Sequence, residues 1–209
     1  MPFVTTSARP LAGDRWVGID ERAAARSVAE HLTGLGHRRV ALLGHDVLPD
    51  APTGPLRVTG VAGVPHPTTR DRLAGFADAF AAVGVGWPEI TVLTAPDNTR
   101  VAGAAAVREL HAGSEPPTAL LACSDVLALG ALDVLRTAGP AARRVSVTGF
   151  DDIAEAAPAG LTTVRQSGED KGRRAAALLL DPPPDATTRE ILLPTTLVVR
   201  TSSGPVPRS

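Results

Sequence analysis

The strongest constraint on the fold is an alternation. Apolar runs of strand length recur along the chain, separated by segments whose apolar residues fall at helical spacing. The strand-length runs are Phe3 to Thr6, Trp16 to Ile19, Val40 to Leu43, Ile90 to Leu93, Ala119 to Ala122, Val145 to Thr148, Leu161 to Val164, Ile191 to Leu193 and Leu197 to Val199. Several are continuously apolar and bounded by Gly or Pro, which suits parallel strands buried on both faces. Between them, Ala25, Val28, Leu32 and Leu35 form one helical stripe stopped by Gly36. Leu73, Phe76, Ala77 and Phe80 form a second, Ala102, Ala106 and Leu110 a third. Ala128, Ala131, Leu132 and Leu135 form a fourth, and Ala175, Leu178 and Leu179 a fifth, ended by three prolines. Repeated βαβ units predict an α/β protein with open, doubly wound parallel sheet. Residues 44–69 break the rhythm: they are rich in Gly and Pro, carry no clear period, and read as a long loop.

Composition removes several function classes. The chain has 209 residues, 44% of them apolar, and a net charge of −1, with Lys171 the one lysine. No basic excess points to nucleic acid. Aromatics at 3% leave no platform for stacking bases. A single cysteine, Cys123, forms no intrachain disulfide and no multi-cysteine metal site. The N-terminal residues lack the charged and apolar regions of a signal peptide, and no apolar run has membrane-spanning length, so a cytoplasmic protein is expected.

Catalytic and cofactor motifs are weak. No Gly-rich phosphate loop follows a strand into a helix. Ser124 sits at a strand-to-helix turn, but Ala122 and Val126 stand where a nucleophile elbow needs glycines, so Ser124 reads as a helix cap. Cys123, after Leu121 and Ala122, reads as a small buried hydrophobe. His31, His37, His45, His66 and His111 show no metal-ligand spacing, and His31 and His37 read as packing or polar anchors. No metal and no cofactor are expected. Arg72 and Asp151 carry more information. Arg72 opens the helix after the long loop, and Asp151 follows the strand ending near Phe150, where open α/β sheets bind ligands. A carboxylate accepting from vicinal hydroxyls and a guanidinium donating to oxygens suit a polyhydroxyl ligand. The alternative is that these charges cap helices or pair on the surface.

Five segments together resemble the LacI/GalR-type transcriptional regulators. VGIDERAAARSVAEHLTGLGHRRVALLG resembles the segment where that family's chain crosses between lobes. RLAGFADAF resembles its Arg-x-x-Gly-Phe helix, and PTALLACSDVLALGALDVLRTAG its strand, Ser/Asn-Asp and helix. VSVTGFDDIAEAAPAGLTTVRQ resembles its Gly-Tyr/Phe-Asp-Asp and Leu-Thr-Thr segment, and LLPTTLVVRTSSGP its closing strand. The motifs stand in family order from Pro2 to Pro205.

The resemblance implies a two-lobed, periplasmic-binding-protein-like α/β fold with a small ligand in the cleft. Crossings would fall near Gly36 to Arg39, Phe150 to Asp152 and Asp181 to Thr188. The first lobe would then be residues 1–36 and 151–187, and the second 37–150 and 188–209. The family's helix-turn-helix head and the opening βαβα of its first lobe have no counterpart here, so that lobe is expected to be incomplete. By position, Arg72 and Asp151 match the residues that grip ligand, and Asp20 an Asp lining the cleft. Ser124 matches a position that is Asn in many sugar binders, and Gln166 a polar cleft position. Ser7 stands where many members carry a ligand-contacting Asp, and Asn98 where an aromatic often stacks. The resemblance implies a non-enzymatic effector-binding domain that takes a sugar or similar polar metabolite. It also implies a homodimer, and contact with DNA only through the head. The 44–69 loop is expected to flap over the cleft. Two other readings stay open: a sugar-binding transport or sensing module, and a small α/β enzyme.

Overall fold

A computed structural model describes residues 3–6, 15–45, 47–48, 51–56, 58–110, 116–181 and 189–206. The chain forms two compact units. One comprises residues 1–20 and 166–196, the other 21–165 and 197–209.

The larger unit is built on a five-stranded sheet. Its strands are β2 (Val40–His45), β3 (Gly54–Leu56), β4 (Thr91–Ala95), β5 (Ala119–Ala122) and β6 (Ser146–Thr148), in the spatial order β3-β4-β2-β5-β6. The pairings β4–β2, β2–β5 and β5–β6 are parallel. All of β5 and β6 and nearly all of β2 are buried, as their continuous apolar runs predict. Ala41 and Leu43 belong to the core that also holds residues of α3 (Arg100–Leu110) and α4 (Asp125–Thr137). The alternate residues Val40 and Leu42 are equally buried. Helices α1 (Glu21–Gly34) and α2 (Pro67–Ala81) pair with each other, as α3 and α4 do.

The two helix pairs are joined alike. A Cβ on Gly75 of α2 would run into the Arg22 carbonyl oxygen of α1, and one on Gly130 of α4 into that of Arg100 in α3. Each contact is flanked by a twofold Arg–Asp pair. Arg22 donates from Nε and Nη2 to Asp78 at 2.6 and 2.8 Å, and Arg100 to Asp133 at 2.6 and 2.7 Å. The predicted helix stop at Gly36 holds. Its φ of 93° is left-handed, and the His37 amide reaches back to Leu32 O at 3.1 Å.

The stretch read as a periodless loop has structure. Strand β3 lies within it and pairs antiparallel with β4, adding an edge strand, and a 3-10 turn follows at Val61–Gly63. Pro55 occupies the middle of β3, tolerable where one side of the strand needs no ladder hydrogen bond. The Trp87 indole donates to Val58 O at 2.7 Å and pins the segment further. The sequence hid this strand because its three residues, Gly-Pro-Leu, carry no alternation. Beyond the large sheet, β7 (Thr163–Arg165) pairs with β9 (Thr196–Val198).

The smaller unit holds β1 (Trp16–Gly18), α5 (Gly168–Leu180) and β8 (Glu190–Leu192). β1 and β8 run parallel, and Leu193 N donates to Gly18 O at 2.7 Å. Ser167 caps α5 by accepting from Asp170 N at 3.0 Å. The expected strand at Phe3 to Thr6 shrinks to one bridge between Thr5 and Trp16. Among the described residues, no helix is long and apolar enough to cross a membrane.

Candidate functional site

The parallel strands of the larger unit all end on one side. Leaving β2, the chain goes to α2 and β4; leaving β5, it goes to α4 and β6. The order therefore reverses between β2 and β5, and such a switch point is where open α/β sheets take ligands. Cys123 N donates to Leu43 O at 2.8 Å there.

Arg72 of α2 is aimed at this point. Its Nη1 donates to the Cys123 carbonyl oxygen and lies 3.4 Å from Asp151 Oδ1, while Nε donates to Glu21 Oε2 at 2.7 Å. Its Cζ stands 3.7 Å from the centre of the Phe150 ring, a cation–π stack. The residue is only 6% exposed. Burial works against its charge, but the Glu21 and Asp151 carboxylates outweigh burial and raise its pKa above the ordinary arginine value. The guanidinium is thus fixed, charged and dry. Phe150 and Asp151 come from the turn after β6, Cys123 from the end of β5 and Glu21 from the first turn of α1. The α1–α2 contact at Gly75 brings Glu21 within reach.

Asp151 sits on unusual backbone. Its φ is 114° and that of Asp152 is 54°. Three ties hold the turn. Asp151 N donates to Val164 O at 2.9 Å. Asp152 accepts from Arg165 Nε at 2.6 Å and Arg200 Nη2 at 2.7 Å. Asp125 accepts from Ile153 N at 2.9 Å and from the Thr163 hydroxyl at 2.6 Å. Burial alone would raise the pKa of Asp152, but the Arg200 and Arg165 hydrogen bonds take it below the ordinary value. For the fully buried Asp125, burial wins over those hydrogen bonds and pushes the carboxyl up.

The other expected residues fall as follows. Ser124 caps α4, accepting from Leu127 N at 3.3 Å as read, and its hydroxyl also donates to Asn98 Oδ1 at 2.5 Å. Asp20 is exposed and belongs to the smaller unit. Gln166, in the same unit, accepts from Lys171 Nζ at 2.7 Å. Ser7 lies outside the described residues. Cys123 is buried, and burial pushes its thiol up to about 12, so it is inert. His37 is an anchor as read, with Nε2 donating to Gly204 O and Nδ1 against the Thr118 hydroxyl, both at 2.9 Å.

Two members of the Arg72 cluster are not singled out by the sequence. Glu21 reads only as a neighbour of Asp20, although its place in the first turn of a helix gives its carboxylate a fixed direction, and Phe150 reads only as the end of a strand. His45 and His66, 21 residues apart in the chain, bring their rings to 5.5 Å. No group of three or more His, Cys, Asp or Glu residues that could hold a metal ion occurs among the described residues.

A parallel sheet with a fixed charge and a carboxylate at its switch point is the arrangement at which open α/β domains take small ligands. Comparison with known proteins narrows this. Residues 29–203 match the family profile "Periplasmic binding protein-like domain". A solved LacI regulator from Bacillus cereus subsp. cytotoxis, described as putative in its own name, is 30% identical. It has a TM-score of 0.78, with 98% of this chain and 68% of that one covered. An HTH-type transcriptional regulator of Mycobacterium tuberculosis is 35% identical over 97% of this chain, which spans 56% of that protein. At the level of fold alone, a LacI family regulator from Enterococcus faecium with bound ribose superposes with a TM-score of 0.80 at 23% identity, covering 99% of this chain and 71% of that one. The chain belongs to the LacI family of transcriptional regulators and covers its periplasmic-binding-protein-like, effector-binding region.

Proposed function

We propose that this chain is the ligand-sensing part of a transcriptional regulator and binds a sugar or similar small polar metabolite through Arg72 and Asp151. The observation that carries the reading is the buried guanidinium at the switch point, 3.4 Å from the Asp151 carboxylate. Such a pair presents a donor and an acceptor with fixed directions, which hydroxyl groups match and apolar ligands do not. Ser124 and Asn98, joined at 2.5 Å, would supply further polar contacts, with Asp20, Gln166 and Ser7 assigned the same role by position in the family. Ligand binding would shift the population of states in a cytoplasmic homodimer, and DNA would be read by a separate head domain. The proposed chemistry is binding without turnover.

Ribose, which the Enterococcus faecium protein holds, is the first probe, followed by other pentoses, hexoses and nucleosides. A saturable rise in melting temperature with at least one of them, shifted to higher ligand concentration in Asp151→Asn, is the expected result. A rise that persists unchanged in Asp151→Asn, or a panel that leaves the melting temperature unmoved, would remove the assignment.

A further inference from the structure

The smaller unit carries two arginines whose donors its own residues leave unused. Strands β1 and β8 run parallel with Trp16 opposite Glu190, and Arg15 and Arg189 each stand one residue before that pair. Both side chains therefore start from the same end of two strands whose backbones lie about 5 Å apart. Arg15 is fixed from its other side as well. Its carbonyl accepts from Thr5 N at 2.9 Å, and Val17 N donates to Thr5 O at 3.0 Å. Arg15 Nη1 and Arg189 Nε are both shielded from solvent and, among the described residues, neither has a hydrogen-bond partner. Nor does either guanidinium pair with a carboxylate among those residues. By contrast Arg173 and Arg174 of α5, in the same unit, both lean on Asp170.

A buried N–H without an acceptor is rare in folded proteins, because it gives up water and gains nothing in return. Here there are two, and both belong to cations. Two positive charges at one end of a strand pair also repel each other, the more so where burial limits screening. A water molecule or a sugar hydroxyl would satisfy an N–H but leave the charge. An oxyanion does both. Its several oxygens can accept from two arginines at once, its charge offsets theirs, and the guanidinium fork is shaped for phosphate and carboxylate oxygens.

We propose that Arg15 and Arg189 form an oxyanion-binding site in the smaller unit, one that takes the phosphate or carboxylate group of a small molecule. It uses none of the residues of the Arg72 site and does not rest on the sugar-binding reading above.

Calorimetric titration of inorganic phosphate and, separately, of acetate into the whole chain tests this, at fixed ionic strength against chloride. At least one of the two should bind saturably, and the tighter names the class of oxyanion. Arg15→Gln and Arg189→Gln should each weaken that binding about tenfold or more, as for a lost charge-assisted hydrogen bond. Arg173→Gln, which removes an exposed arginine already paired with Asp170, should leave it unchanged. Three results would overturn the proposal: no saturable heat from either anion, affinities equal in wild type and the Arg15 and Arg189 variants, or a loss as large in Arg173→Gln. Circular dichroism establishes that the variants fold. Should they not fold, the Arg189 Nε–H resonance of the wild type decides. A saturable shift as phosphate or acetate is added supports the site, and a resonance that stays in place overturns it.

Discussion

Arg72 holds together groups from three other places in the chain, so its replacement tests packing and function at once. Arg72→Ala would leave the largely buried Glu21 carboxylate, 12% exposed, without its countercharge. The expected cost is about 3–5 kcal/mol of unfolding free energy by urea denaturation. A loss within the range of exposed ion pairs, below about 1 kcal/mol, would show that the cluster is not the dry network described here. Asp151 tests the backbone separately. At a φ of 114°, glycine relieves strain that alanine retains. Asp151→Gly should therefore be more stable than Asp151→Ala by about 1 kcal/mol, although both lose the carboxylate. Equal stabilities would mean that the turn relaxes. Arg72 and Asp151 were legible in the sequence because each stands at the end of an element, in a motif with a direction. Glu21 was not, because its partner lies 51 residues on, and only the α1–α2 approach brings them together.

At the scale of elements, strands and helices were legible because each carries its own period. Buried parallel strands are continuously apolar, and helices show stripes ended by glycine. What failed was short or depended on neighbours. β3 has too few residues for a pattern and exists because β4 offers an edge to pair with. The role of Gly75 and Gly130 was equally hidden, since a glycine that permits close helix contact looks like one that weakens a helix. Alanine normally favours a helix interior over glycine by about 1 kcal/mol. At Gly75 and Gly130 the added methyl meets a carbonyl oxygen of the partner helix, so Gly75→Ala and Gly130→Ala should each destabilise by about 1–3 kcal/mol. Gly172 in α5 has open space where its Cβ would go, and Gly172→Ala should follow propensity and stabilise. Urea unfolding of the three variants checks this. A stabilising Gly75→Ala would contradict the close packing of the helix pair.

At the scale of the whole molecule, His37, just ahead of the central strand β2, ties the C-terminal segment to the start of β5, through Gly204 and Thr118. Burial lowers its pKa most, and Arg38 lowers it further against the opposing pull of the Gly204 hydrogen bond, so it falls below 6.5. His31 is lowered in the same direction, by burial and then by His37. As pH drops below the unfolded value, the unfolded chain takes up protons that the native chain refuses. Stability contributed by these histidines is therefore present above pH 6.5 and lost as pH falls through the lower native values. Urea midpoints should fall as pH drops below 6.5, and His37→Gln should flatten that fall. A slope unchanged in His37→Gln would assign the effect elsewhere. Arg72 and Asp151 are proposed to grip a polar ligand together, and calorimetric titration of an uncharged sugar from the panel into wild type and Asp151→Asn probes that grip. Saturable binding, weakened by about 10–150-fold in Asp151→Asn, is expected for a lost charge-assisted hydrogen bond of about 1.5–3 kcal/mol. Equal affinities in the two proteins would contradict it.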